Sequence, residues 1–243
     1  MNPTLFDDQS PAWLRLPAEP GYHFEREGEA YRITIPGGVL YYAPHFFSEA
    51  VTRRLTDYLL ANDDYDWASA PWADIDPATV HWQHIQWERH HIRLFGRQTP
   101  IPRFSAWYGD SGATYAYSGL RLNPHPWNEG LLYLKGEAER AAGAAFNSVL
   151  LNWYRNGEDA MGWHADDEPE LGRNPVIASV NLGATRRFLM RRTRHKDHKW
   201  ELPLTNGALL IMQGEMQHYW QHAIPKERKV SALRINLTFR NIR

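Results

Sequence analysis

The stretch Leu233-Arg234-Ile235-Asn236-Leu237-Thr238-Phe239-Arg240 alternates strictly between apolar and polar side chains. A period of two predicts a β-strand, in which successive residues point to opposite faces. Arg234 and Arg240 then share one face. Periodicity alone favours a solvent-facing arginine face, but the alternative is that both faces are covered and the arginines line a polar cavity. A guanidinium suits that second role, because it can bind a carboxylate through two parallel hydrogen bonds.

Further short strands separated by turns precede this one. The pattern predicts them, without helices between them, at residues 149–155, 161–165, 176–182, 187–191, 200–204, 208–212 and 219–224, with the last strand at 233–240. Such a succession indicates a jelly roll (double-stranded β-helix), in which two sheets fold over each other around a cavity. Asn206-Gly207 is a hairpin signal between the fifth and sixth strands. The expected core covers about residues 147–243.

The first half of the chain is less regular. Residues 1–30 carry several prolines and scattered charges without periodicity, which predicts a loosely attached arm. A strand is predicted at residues 31–35, and helices from Ser48 to about residue 62 and over residues 127–142, with Gly143 as a stop signal. The irregular residues 63–126 are typical of binding loops or a lid. We therefore expect an α+β, mainly β fold in one domain, residues 31–243, with helices flanking the jelly-roll core.

Composition excludes several kinds of site. The chain of 243 residues has no cysteine, which excludes disulfides, thiolate metal sites and a cysteine nucleophile. Its net charge of −1 indicates no general affinity for nucleic acid, so any basic footprint must be local. No apolar run is long enough to cross a bilayer, and the first ten residues do not resemble a secretory signal. We expect a soluble, intracellular, cytoplasmic monomer with no membrane partner.

Histidine and aspartate side chains supply candidate metal ligands. In Trp163-His164-Ala165-Asp166-Asp167-Glu168, His164 and Asp166 would share one face of a strand. Taken alone, such a pair is more often a surface turn than a metal site. His222 would complete a set of two histidines and one carboxylate, although His218 competes for the third place. On octahedral Fe(II) such a set leaves three positions free for a bidentate oxoacid and dioxygen, as a 2-oxoglutarate oxygenase requires.

The order and spacing of these residues resemble a known family. Asn152 and Tyr154, which share a face of one predicted strand, precede the candidate ligands and the final strand. Together these elements resemble the AlkB family of iron(II)- and 2-oxoglutarate-dependent nucleic-acid demethylases, over about residues 92–243. The resemblance implies Fe(II) and 2-oxoglutarate as cofactors, with His164, Asp166 and His222 as the ligands. It also implies a cosubstrate pocket in which Arg234 grips the distal carboxylate of 2-oxoglutarate and Arg240 serves its other end, completed by Asn152, Tyr154 and Asn236.

Other motifs are similar to the AlkB branch that repairs alkylated duplex DNA. Pro102-Arg103, Tyr108-Gly109-Asp110 and the segment from Tyr115 to Gly119 resemble its nucleotide-recognition lid. Leu94-Phe95-Gly96 resembles an apolar finger that fills the gap left by a flipped base, with a buried turn as the alternative. The resemblance implies that Tyr117 stacks the base against His164 and that Glu168 accepts from its exocyclic amine. A solvated carboxylate is the alternative for Glu168. The predicted substrate contacts are Phe95, Arg103, Tyr115, Tyr117 and Glu168.

Two local clusters of basic residues provide the footprint that the net charge lacks. One hairpin contains Arg186, Arg187, Arg191, Arg192, Arg194, Lys196 and Lys199, and the predicted finger is flanked by Arg89, Arg93, Arg97 and Arg103. Charge runs are usually solvated faces, but beside a binding site they favour contact with phosphates. The resemblance does not indicate which residues of the hairpin over 186–199 touch DNA.

The expected activity is oxidative demethylation of N-alkylated bases in DNA, of the 1-methyladenine and 3-methylcytosine type. Fe(II), dioxygen and 2-oxoglutarate would be used, and formaldehyde, succinate and carbon dioxide released. DNA carrying alkylated bases, in duplex form, would be the partner. One alternative is a 2-oxoglutarate-dependent oxygenase that acts on RNA, protein or a small molecule. Another is a non-catalytic jelly-roll module that binds nucleic acid, in which the histidines are structural.

Overall fold

A computed structural model describes residues 11–68, 75–94, 97–117, 120–197 and 199–243, without the side chains of residues 92–94, 97, 115–117 and 120–122. The strands in these ranges are β1 (His23–Glu27), β2 (Ala30–Ile35), β3 (Gly38–Ala43), β4 (His91–Leu94), β5 (Arg97–Pro100), β6 (Phe104–Gly109), β7 (Tyr115–Tyr117), β8 (Leu120–Leu122), β9 (Ser148–Tyr154), β10 (Met161–His164), β11 (Ile177–Gly183), β12 (Arg186–Arg192), β13 (Lys199–Leu204), β14 (Leu209–Gln213), β15 (Trp220–Ile224) and β16 (Arg234–Arg240). The helices are α1 (Glu49–Leu59), α2 (Glu129–Ala142) and the short α3 (Met216–Tyr219).

Two antiparallel sheets form the core. The larger sheet has eight strands in the order β1-β2-β3-β14-β11-β16-β9-β6, and the smaller has four in the order β10-β15-β12-β13. Strands β4 and β5 form a separate pair, as do β7 and β8. Each strand predicted for the jelly roll is present, with its ends displaced by at most one residue. The mainly β, two-sheet architecture is confirmed.

The turn at Asn206-Gly207 does not close the predicted hairpin. Gly207 adopts a φ of 79°, and the amide of Ala208 donates to the carbonyl of Thr205 over 3.1 Å, so a tight turn is present. Strand β13 pairs with β12, however, whereas β14 pairs with β11 and β3 in the other sheet. The hairpin prediction is wrong because the dipeptide specifies a reversal of the chain but not the partner of the strand that follows.

Helices α1 and α2 cover the outer face of the larger sheet. Helix α1 begins after Ser48, as predicted. Helix α2 ends before Gly143, whose φ of 61° is the left-handed conformation that commonly terminates a helix. Leu59 and Leu134 pack in one apolar cluster with Leu237 of β16. No helix in the described ranges is long and apolar enough to cross a membrane.

Part of the predicted N-terminal arm belongs to the larger sheet. Strand β1 pairs with β2 along its whole length, Leu14 is buried, and the ring of Trp13 packs edge-on against Tyr31 and Tyr42. A loosely attached arm is therefore a wrong description of these residues, because aromatic packing and strand pairing override an irregular sequence pattern. The domain limits, residues 31–243 with a lid over about 63–126, stay predictions.

Strand β16 is covered on both faces. Its apolar residues are fully buried against the cluster beneath the helices, and Arg234, Asn236, Thr238 and Arg240 are between 2% and 7% exposed. These polar side chains line a cavity together with residues of the smaller sheet. The second alternative for the arginine face is thus the correct one.

Candidate metal and cosubstrate site

A cavity between the two sheets brings the predicted ligands and the predicted cosubstrate residues together. The polar residues that line it are Asn152, Tyr154, His164, Asp166, Ser179, His222, Arg234, Asn236, Thr238 and Arg240. Apolar side chains, among them Leu150, Phe188 and Met212, complete the wall. The cavity can therefore hold a small polar ligand away from bulk water.

His164, Asp166 and His222 form a three-residue cluster that could hold a metal ion. His164 ends β10 and pairs in register with His222 of β15, and Asp166 follows two residues after His164. One potential ligand atom of each residue lies within 4.8 Å of the others. The competing residue His218 lies exposed on α3, where its Nε2 is 3.0 Å from Oδ1 of Asn174. The alternative third ligand is therefore excluded from the cluster.

The protonation of the cluster suits metal binding. Burial lowers the pKa of His222 to about 3, so its imidazole is neutral near pH 7. Burial alone would raise the pKa of Asp166, but Arg240, His222 and His164 together hold it below its usual value. Nδ1 of His164 lies 2.9 Å from the carbonyl oxygen of Gly162, which can only accept, so Nε2 is left as the ligand atom.

Two side chains hold Asp166 in place. Nη2 of Arg240 donates to its Oδ1 over 2.8 Å, and its backbone amide donates to Oε1 of Gln217 over 3.0 Å. Gln217 lies on α3, directly before the strand that carries His222, and is buried. Gln217 was not predicted, because its position in the sequence shows no pattern that marks it. The side chain of Gln217 thus links the segment that carries Asp166 to the segment that carries His222.

Arg234 is a buried cation that faces the cavity. Burial lowers its pKa to about 10, partly opposed by Tyr154, so the guanidinium stays charged near pH 7. Its Nη2 donates to Oδ1 of Asn181, and its Cζ lies 4.9 Å from the centre of the Tyr154 ring. Nε and Nη1 have no hydrogen-bond partner among the described residues. A buried guanidinium with two unused nitrogen donors is suited to a carboxylate ligand.

Asn181 and Ser179 are further site residues that the prediction missed. Both lie on β11, which is buried throughout except at Gly183. Ser179 lines the cavity, and its Oγ accepts from Nδ2 of Asn236 over 2.8 Å. Polar residues at alternate positions of a buried apolar strand are the signal that could have identified them.

Sequence comparison identifies the family to which this architecture belongs. The sequence model of the 2OG-Fe(II) oxygenase superfamily matches residues 40–240. The chain belongs to this superfamily. The family description names Fe(II) and 2-oxoglutarate, and the residues present fit both. A set of two imidazoles and one carboxylate lines the same cavity as Arg234, whose guanidinium has unused donors.

The chain is similar in sequence to proteins that are named as AlkB homologues. The oxygenase is 46% identical over 149 residues to the human "Alpha-ketoglutarate-dependent dioxygenase alkB homolog 3", with 58% of this chain and 52% of the relative covered. It is 42% identical over 161 residues to the human "DNA oxidative demethylase ALKBH2", with 62% and 60% covered. The matched region thus spans about half of the first relative's length.

A structural comparison agrees on the fold. The solved chain described as "The structure of OsALKBH1" superposes with a TM-score of 0.52 at 15% identity. The superposition covers 90% of the oxygenase and 100% of that chain. At this identity the likeness shows the fold alone.

Two of the five predicted substrate contacts of the oxygenase, Glu168 and Arg103, lie with their side chains among the described residues. Phe95 lies outside the described residues, and the side chains of Tyr115 and Tyr117, on strand β7, are also outside them. Glu168 is half-buried at the start of the single turn Pro169–Leu171, two residues beyond Asp166. Arg103 is buried, and its Nε donates to Oδ1 of Asn152 over 2.7 Å. The structure therefore places Arg103 against Asn152, which is one of the predicted cosubstrate residues.

The basic hairpin of the oxygenase, β12 with β13, does not present its charges as one surface. Arg186 is 1% exposed and forms an ion pair with Glu227, with 3.0 Å between Nε and Oε2. Arg187 is paired with Glu201, and Arg191 stacks 4.2 Å from the ring centre of Trp163. Residues of the hairpin that remain exposed without an ion pair in the described chain are Arg194, Lys196 and Lys199.

Proposed function

We propose that this oxygenase removes methyl groups from N-alkylated nucleobases by oxidation. The observation that carries the proposal is the shared cavity, in which the His164, Asp166 and His222 cluster faces the unused donors of Arg234. Relatives named as an alkB homologue and as a DNA oxidative demethylase support the substrate class. Bases of the 1-methyladenine and 3-methylcytosine type are the proposed targets.

The residues of the chain would bind and orient the reactants. Fe(II), when bound with 2-oxoglutarate and dioxygen, supplies the oxidation of the N-methyl group, with release of formaldehyde, succinate and carbon dioxide. His164, Asp166 and His222 would hold the metal, and Arg234 would bind the distal carboxylate of 2-oxoglutarate. Tyr154 packs against that guanidinium and limits its movement. The apolar wall would exclude water from the reacting groups.

We also propose contacts between this oxygenase and its nucleic-acid substrate. Glu168 would accept from the exocyclic amine of a flipped base, Tyr117 would stack on the base, and Tyr115 and Phe95 would complete the lid. Exposed cations of the basic hairpin would contact phosphates. We propose duplex DNA as the substrate and a cytoplasmic monomer as the working form.

Two measurements test the proposal against its alternatives. Fe(II) and 2-oxoglutarate should each increase the affinity of the protein for the other under anaerobic conditions. In a non-catalytic binding module, neither would affect the binding of the other. Succinate formation should rise when methylated DNA is added, and should be lost in Asp166→Ala. Equal stimulation by unmethylated DNA, or retained turnover in that variant, would contradict the proposal. Stimulation only by methylated RNA, a protein or a small molecule would support the alternative oxygenase.

A further inference from the structure

Arg103 is a buried cation without an acidic partner. It directly precedes β6, is 5% exposed, and has no ion pair among the residues that the structure describes. Burial of a guanidinium away from water is unfavourable unless hydrogen bonds compensate for it. The bonds that Arg103 makes therefore indicate what it does.

Those bonds connect two parts of the site. Nε donates to Oδ1 of Asn152 on β9 over 2.7 Å, and a longer contact of 3.5 Å joins Nη1 to the carbonyl oxygen of Ala160. The amide of Ala160 in turn donates to the carbonyl of Pro102 over 3.3 Å. Arg103 thus reaches from a cavity-lining residue to the start of β10, which ends in His164.

The contact determines which end of the Asn152 amide is available. A guanidinium has only donors, so the atom of Asn152 that faces Arg103 must be the carbonyl oxygen. The amide nitrogen, Nδ2, has no acceptor among the described residues. Because Asn152 lines the cavity with Tyr154 and Arg234, its two N–H groups are left for a ligand there.

The side-chain amide of Asn236, unlike that of Asn152, is hydrogen-bonded at both ends within the described part of the protein. Its Nδ2 donates to Oγ of Ser179 over 2.8 Å and to the carbonyl of Val180 over 3.1 Å, and its Oδ1 accepts from Oγ1 of Thr238 over 3.0 Å. Both ends of this amide are used within the sheet. Of the two asparagines that line the cavity, Asn152 is therefore the one that can donate to an anionic ligand.

We propose that Arg103 is a positioning residue that fixes the orientation of the Asn152 side-chain amide in the cosubstrate pocket. By holding Oδ1 of Asn152, it presents Nδ2–H to a carboxylate or keto oxygen of 2-oxoglutarate. The inference rests on the cosubstrate binding of the proposed function and differs from the substrate contact predicted for Arg103. An acid at position 103 would favour the flipped amide, whose oxygen would then repel a carboxylate in the cavity.

Anaerobic titration of the Fe(II)-loaded protein with 2-oxoglutarate measures the effect directly. Arg103→Lys keeps a donor-only cation and should bind within about three-fold of wild type. Arg103→Met releases the amide and should weaken binding about ten-fold, through loss of an oriented, charge-assisted hydrogen bond. Arg103→Glu should bind more weakly than Arg103→Met. Equal affinity in wild type and Arg103→Met would overturn the proposal.

A double-mutant cycle separates positioning from general destabilisation. In an Asn152→Ala background, Arg103→Met should have no further effect on 2-oxoglutarate affinity, because the amide through which it acts is absent. An undiminished effect in that background would contradict the proposal. If Arg103→Met fails to fold, Asn152→Asp decides: its carboxylate can pair with Arg103 and place a second oxygen in the cavity. Wild-type affinity in Asn152→Asp would overturn the proposal.

The outcomes also distinguish this inference from the proposed function. If the wild-type protein does not bind 2-oxoglutarate, the proposed function itself fails. If Arg103→Met binds 2-oxoglutarate normally but loses affinity for a methylated oligonucleotide, the predicted substrate contact is supported and the positioning role is rejected. We expect Arg103→Met to lose affinity for 2-oxoglutarate and to keep its affinity for the methylated oligonucleotide.

Discussion

Arg240 donates from Nη2 to Oδ1 of Asp166 over 2.8 Å, and both side chains are buried. The other carboxylate oxygen, Oδ2, lies 3.9 Å from Nε2 of His222. The two oxygens of Asp166 therefore have different neighbours, a guanidinium at Oδ1 and the imidazole of His222 at Oδ2. We infer that Asp166 would bind a metal through Oδ2 alone, with Arg240 holding the carboxylate plane.

Removal of that guanidinium should weaken metal binding. We expect Arg240→Met to lower the affinity for Fe(II) by about ten- to a hundred-fold, as is usual when the partner of a ligating carboxylate is lost. Anaerobic metal titration measures it. Arg155→Met is the matched control, because Arg155 forms an equally short pair with Asp159 but lines no part of the cavity. Equal losses of metal affinity in the two variants would contradict the assignment.

Arg234 should distinguish 2-oxoglutarate from shorter oxoacids. Arg234→Lys keeps the charge but loses the planar fork, so 2-oxoglutarate affinity should fall by about ten-fold or more. Affinity for pyruvate, which lacks the distal carboxylate, should change much less. Anaerobic binding of both oxoacids to the Fe(II)-loaded protein checks this. An equal change for the two ligands would show that Arg234 does not contact the distal carboxylate.

Strand β16 illustrates what the sequence could and could not predict. Its alternation specified which residues share a face, and the eight jelly-roll strands were predicted to within one residue. Whether the arginine face met solvent depended on a second sheet from another part of the chain. Alternation in one strand carries no information about that partner, so the choice required the tertiary structure.

Arg186 and Arg103 show a second limit of the sequence pattern. Arg186 belongs to a charge run, yet it is buried and its Nη2 donates to the carbonyl oxygens of Asp159 and Pro225. Arg103 is predicted to contact the substrate, and the structure shows in addition that it donates to Asn152, a contact that the sequence did not indicate. Long-range partners, 27 to 49 residues away in sequence, decide both cases. The local sequence pattern around Arg186 and Arg103 does not specify these partners.

The turn between the sheets should be sensitive to a side chain. Gly207 has a φ of 79°, and a Cβ placed there would lie 2.3 Å from the carbonyl oxygen of Phe47. Gly207→Ala should lower the free energy of unfolding by about 1–3 kcal/mol, measured by urea denaturation. Gly136→Ala is the control, because it lies in helix α2 where a Cβ meets no atom within 4 Å, and should stabilise by about 0.5–1 kcal/mol. An unchanged midpoint for Gly207→Ala would contradict the close packing at this turn.

Exposed cations of the basic hairpin should contribute to nucleic-acid affinity. Replacing Arg194 and Lys196 together by alanine should weaken oligonucleotide binding, and should reduce the slope of log affinity against log salt by about 1.4–1.8 if both contact phosphates. Fluorescence anisotropy at several salt concentrations measures the slope. Arg187→Ala should change it less, because Arg187 is paired with Glu201. A slope unaffected by the double change would place the phosphate contacts elsewhere.

Formaldehyde release tests the proposed demethylation most directly. Matched single-stranded and duplex oligonucleotides carrying 1-methyladenine or 3-methylcytosine are incubated with the protein, Fe(II), 2-oxoglutarate and dioxygen, with Asp166→Ala as the inactive control. We predict formaldehyde and succinate in equal amounts from the methylated oligonucleotides, with duplex DNA turned over at least as well as single strands. Succinate without formaldehyde from any methylated base, or equal product from Asp166→Ala, would contradict the account.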